Sequence, residues 1–190
     1  MMFADETTRA MRDIDAQVLR PEGWDAPPSL FLLHDETGVL VPYRLDSYRE
    51  GALHAPPSAT PFQILSVYAQ AIASAAQKGS WPHKVAAVVF ASEAWAAMTA
   101  NANVAQRDQI EAAAEHREIH AMPDRVEIRI LASVDRHGAV RTLRYARGQE
   151  SDITETSDAD GVDPDKEQMA GAVQDGLAEV LRAFESVSAP

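Results

Sequence analysis

Hydrophobic and polar positions alternate between two rhythms along this chain. Residues 5–20 carry Met11, Ile14, Val18 and Leu19 at helical spacing, with Asp5 placed to cap, which predicts a first helix that Arg20-Pro21-Glu22-Gly23 ends. The segment Trp24–Ser29, with Pro27 and Pro28, is expected to be extended, because proline disfavours the α region for the residue before it. Leu30–Leu33 and Val39–Val41 read as two short strands around the polar turn His34–Gly38, a hairpin whose second strand Pro42 places at an edge. Residues 46–59 give only loop or a single helical turn, which Pro56-Pro57 closes.

Thr60-Pro61 suits the N-cap and first position of a helix over residues 60–78, which Lys78-Gly79 ends. Its apolar positions cover more than one face, so it is expected either between layers or against a second subunit. Lys84–Ala91, part of KVAAVVFASEAW, is a continuous apolar run, the pattern of a central strand buried on both faces. Beyond it two readings stay open. If the strand continues, Val85, Ala87, Val89, Ala91, Glu93 and Trp95 share one face. If Ser92 caps a helix, Glu93 sits in its first turn.

Residues 106–116 are Ala-, Glu- and Gln-rich and read as a helix with a weak apolar face. From Val126 to Val134 apolar residues alternate with others in the period of a half-exposed strand. Asp135–Gly138 is a turn, and residues 139–147 return antiparallel. A three-residue loop would set Leu131 opposite Leu143, Arg129 opposite Tyr145 and Glu127 opposite Arg147, with loops one residue shorter or longer as the alternatives. Residues 148–162 form an acidic, mobile segment, and Asp163-Pro164 starts a last helix with its stripe at Met169, Val173, Leu177, Val180, Leu181 and Phe184. The prediction is one α+β domain over residues 1–190, a mixed or antiparallel sheet of about five strands covered by two to three helices, chiefly 60–78 and 165–186.

Composition narrows what such a domain does. Seventeen basic against 29 acidic residues give a formal net charge of −12, which disfavours a phosphate backbone or an anionic membrane surface as partner. No cysteine is present, so disulfides and thiolate chemistry are excluded, and His and carboxylates are the only metal ligands. The N-terminal residues have no secretory core, and no run approaches the roughly 20 apolar residues of a membrane span. The expected location is cytoplasmic.

Three constellations carry candidate chemistry. Thr156, Asp158, Asp160, Gly161 and Glu167 follow the spacing of a calcium loop, making Asp158, Asp160 and Glu167 the candidate metal ligands. Threonine at the first position and charged Asp163 at the eighth favour a solvated linker instead. His116 and His120 are spaced for one metal on a helix, but Glu118 is one residue from where a zinc-protease motif needs it. Glu93, Asp124 and Arg125 could meet at a sheet end if their strands are neighbours, a carboxylate pair beside a guanidinium. An ion pair fixing strand ends explains the same residues, and no nucleophile elbow or phosphate-binding glycine loop occurs.

VVFASEAW and PDRVEIRI, followed by a D-x-x-G turn and a second strand, resemble a pattern in small uncharacterised proteins of high-GC bacteria and their phages. The resemblance implies the sheet and carries no activity. The functional expectation is a non-enzymatic interaction or accessory protein without cofactor, self-associating or binding a protein partner. The alternative is a hydrolase-like enzyme acting on a small anionic substrate through Glu93, Asp124 and Arg125.

Overall fold

The computed structural model describes residues 2–45, 60–76, 85–97, 103–116, 118–157 and 167–188. Its six strands form one antiparallel sheet in the order β2-β1-β3-β4-β5-β6. They are β1 (Ser29–Glu36), β2 (Val39–Leu45), β3 (Val85–Ala97), β4 (Arg125–Asp135), β5 (Val140–Ala146) and β6 (Thr154–Ser157). The expected α+β class holds, with one strand more than the apolar pattern gives. The addition is β6, whose sequence TETS has no apolar rhythm and which lies inside the segment read as an acidic linker.

Helices α3 (Pro61–Ala76) and α5 (Glu167–Ser188) pack side by side on one face of the sheet. Leu65, Tyr68, Leu177, Val180 and Phe184 meet Leu30, Leu32, Val88 and Phe90 there. The broad apolar surface of α3 is thus met by both a helix and the sheet. The two helices come so close that a Cβ added at Gly176 would lie 2.9 Å from Leu65 Cβ and Cδ1.

The other face carries an N-terminal layer. Helix α1 (Met2–Ile14) already includes Asp5, runs into a π turn over Asp15–Leu19 and ends in the short α2 (Arg20–Glu22). Pro21 gives a reason for the π turn. In an α-helix its ring would clash with the carbonyl four residues back, whereas here Arg20 N–H donates to Asp15 O and the wider turn accommodates the proline. Met11, Ile14 and Leu19 are buried against Phe31, Leu33, Leu131 and Leu143, and Asp15 on the same face is buried with them. α4 (Val104–Glu115) begins at an Asn103–Gln106 capping box and buries no residue.

β3 is the central strand, and it runs straight through Ser92, Glu93 and Trp95, so the helical reading of Glu93 is excluded. One detail departs from simple alternation. The register of β1 on β3 shifts between Leu33 and His34, which turns Val85 toward α3 and α5 while Ala87 and Val89 face α1. The β4–β5 register agrees with that expected from sequence: Leu131 lies opposite Leu143 and Arg129 opposite Tyr145. Arg147 N–H donates to Glu127 O just beyond β5.

A candidate site under Trp24

Straight continuation of β3 places Glu93 directly across from Arg129 of β4, not beside Asp124 and Arg125. Arg125 pairs with Ala97, lays its guanidinium over the Trp95 ring at 4.8 Å and donates to Met122 O. Asp124 is exposed in the turn before β4. The three residues singled out from sequence are therefore not brought together. Asp158 and Asp160 lie outside the described residues, as does the Glu167 side chain. His116 ends α4, and His120 lies in a separate 3₁₀ turn, Ile119–Ala121, so no single helix carries both.

What the sheet does assemble, on its α1 face, is a polar centre around Arg129. This arginine is 2% exposed. It donates to Glu93 Oε1 at 2.6 and 3.2 Å, to the Tyr145 hydroxyl at 3.2 Å and to the Gly23 carbonyl. Tyr145 in turn donates to Asp15 Oδ1 at 2.5 Å, and Arg20 donates to Asp15 Oδ2 at 2.8 Å. Asp15 reaches this position because it lies one helical turn after Met11, on the buried face of α1. An almost fully buried guanidinium is tolerated because its donors are met by carboxylate, hydroxyl and carbonyl.

Titration behaviour follows from these contacts. Burial pushes the Tyr145 phenol up to about 12, helped by the bond to Asp15 and that carboxylate's field, while Arg129 pulls the other way. Desolvation works against the charge on Arg129, but Glu93 and Tyr145 outweigh it and hold the guanidinium above its ordinary value. Neither group is poised to exchange a proton near neutral pH.

Trp24 closes the centre from above. Its ring lies 4.8 Å from the Arg129 guanidinium and 5.5 Å from that of Arg147, and it meets Tyr145 edge to face at 5.9 Å. Its indole N–H donates to Glu150 Oε1 at 3.3 Å, and Asp25 N–H donates to Glu93 Oε2 at 2.7 Å. Gly148 N–H donates to the same Glu150 oxygen, and this bond leads the effects that lower the Glu150 pKa.

At the rim, carboxylate oxygens of Asp25, Glu93 and Glu127 lie within 4.8 Å of one another. They could face a cation, yet their charge is already compensated from within. Arg129 neutralises Glu93, and Arg147 lies 2.6 Å from Glu127 and 3.8 Å from Asp25. Sequence reasoning reached Glu93, Glu127 and the Arg129–Tyr145 pairing but missed Asp15, Trp24 and Asp25. The signal for Asp15 was a charge on the apolar stripe of the first helix; Trp24 and Asp25 gave none.

Among the described residues no helix is long and apolar enough to cross a membrane. Comparison with known proteins finds no match among curated proteins and none among solved structures. The PPA1309-like protein family model matches residues 7–183, nearly the whole chain, and the chain belongs to that family. The match agrees with the resemblance read from the sheet motifs.

Proposed function

We propose that this PPA1309-like protein is a cytoplasmic, non-enzymatic interaction protein that self-associates through β2. The observation carrying the proposal is an apolar stripe on this edge strand. Val39, Val41 and Tyr43 share one face and are 62%, 37% and 54% exposed. Contiguous exposed apolar side chains on an otherwise acidic protein are the usual mark of a contact surface. A second copy fits best, because two identical stripes related by a two-fold axis cover each other like for like. Pro42 has no N–H to donate outward, which disfavours simple extension of the sheet and favours contact across the face. The excess of acidic residues disfavours nucleic acid and anionic membranes as partners.

The self-contained polar centre also supports a non-enzymatic role, since Glu93 and Arg129 spend their hydrogen bonds on their own chain. An enzyme acting on a small anionic substrate through Glu93, Asp124 and Arg125 has less support, because Arg125 is engaged by Trp95 and Met122. Light scattering across a concentration series tests the proposal. The wild-type chain is expected to dimerise, and Val41→Asp with Tyr43→Asp to yield a monomer that keeps its fold by circular dichroism. A wild-type chain that stays monomeric at its highest soluble concentration overturns it.

A further inference from the structure

The segment Gly23-Trp24-Asp25 is joined to the polar centre through two main-chain groups and the Trp24 ring. The Gly23 carbonyl takes an Arg129 N–H, the Asp25 N–H takes the second Glu93 oxygen, and the Trp24 ring between them rests on two guanidinium groups. Apart from Glu150 and the Arg20 carbonyl that takes the Gly23 N–H, the groups receiving the segment belong to β3, β4, β5 or the residue just after β5. Gly23 has φ +82°, which glycine takes freely, but Asp25 holds φ +68°, a left-handed conformation that carries a cost for a residue with a Cβ. The Asp25 carboxylate is held close to two others, and Arg147 reaches it only at 3.8 Å. Favourable main-chain bonds thus secure a segment in which Asp25 alone holds an unfavourable φ.

From this we infer that the Arg129–Glu93 pair is a peptide receptor and that residues 23–25 are its self-bound occupant. The receptor reads a carbonyl, an aromatic side chain and an N–H in succession. Main-chain groups supply two of these three contacts, so a segment of another protein with an aromatic residue at the centre can make all three. Such a segment displaces the strap, and the strain at Asp25 lowers the cost of displacement. The partner class is therefore a peptide that bends, as residues 23–25 do, at a central tryptophan or another aromatic residue. This site is separate from the β2 stripe, and its failure would leave that proposal untouched.

The test uses full-length chains and, as probe, a fluorescent nonapeptide of the strap sequence, RPEGWDAPP. Two variants open the strap by different routes. Trp24→Ala removes the ring, and Asp25→Pro removes the N–H and forbids positive φ. Fluorescence anisotropy should show at least one folded variant binding the probe about tenfold or more tighter than wild type. Adding Arg129→Lys to that variant should abolish the gain, since a lysine has no planar fork for the carbonyl and carboxylate together. Folded variants that bind no better than wild type overturn the inference. So does binding that survives Arg129→Lys. If neither variant folds, hydrogen exchange on wild type decides. Asp25 N–H exchanging faster than central β3 amides supports a displaceable strap, and exchange at the rate of global unfolding refutes it.

Discussion

Arg129 and Glu93 are direct cross-strand neighbours on β4 and β3, joined by a 2.6 Å ion pair in which the arginine side chain is 3% and the glutamate side chain 12% exposed. A pair this deep is dangerous to break singly, because the survivor keeps its desolvation cost without its partner. Arg129→Ala should therefore lower unfolding free energy by about 3–5 kcal/mol. Glu93→Gln keeps an acceptor for Arg129 and should cost less. The double variant Glu93→Leu/Arg129→Met should recover much of the loss, as read from urea unfolding midpoints.

Tyr145 sets a limit on stability at high pH. Its folded pKa of about 12 lies above the ordinary value of 10, so the folded state holds the phenolic proton more tightly. The stabilisation is complete below pH 10 and is lost as pH rises toward 12. Phenolate absorbance, with Tyr145→Phe as the subtraction, should place this titration near 12 rather than 10. Asp15→Asn should move it downward, because the hydroxyl then loses its charged acceptor.

The β1–β2 turn carries strain that a better residue would relieve. Thr37 and Gly38 have φ of +56° and +88°, the pattern of a tight two-residue hairpin turn that favours Asn-Gly. A β-branched residue at positive φ is the exception there. Thr37→Asn should raise stability by about 0.5–1 kcal/mol and Gly38→Ala should lower it by about 1–2 kcal/mol, seen as opposite shifts in melting temperature.

Gly176 tests the helix layer. A methyl group at this position meets Leu65 Cβ and Cδ1 at 2.9 Å, and the neighbour can give way only by parting α3 from α5. Gly176→Ala should cost about 1–3 kcal/mol despite alanine's higher helix propensity. Adding Leu65→Ala should then cost less than it does in the wild-type background, a coupling that a double-mutant cycle measures.

Much of this fold was legible from periodicity, and its limits are instructive. The β4–β5 register could be read because charge and apolarity matched at Glu127/Arg147 and Leu131/Leu143 together. The fate of Glu93 could not, because an apolar run tells that a strand is buried and not where it stops. β6 was invisible for a related reason. An exposed four-residue edge strand has no buried face to impose alternation, and its place is fixed by main-chain pairing with β5. The polar centre escaped because it joins residues 15, 24, 93, 129 and 145, and only packing brings segments so distant in sequence together.

That wide spacing has a consequence for how the chain is made. Tyr145, which receives Asp15, follows it by 130 residues, and Glu155, which receives Thr8, follows by 147. At roughly 5–20 residues per second, the N-terminal helix leaves the ribosome many seconds before its docking partners do. During that interval Met11, Ile14 and Leu19 have no sheet to cover them, so this stretch of the nascent polypeptide is where a chaperone would be needed first.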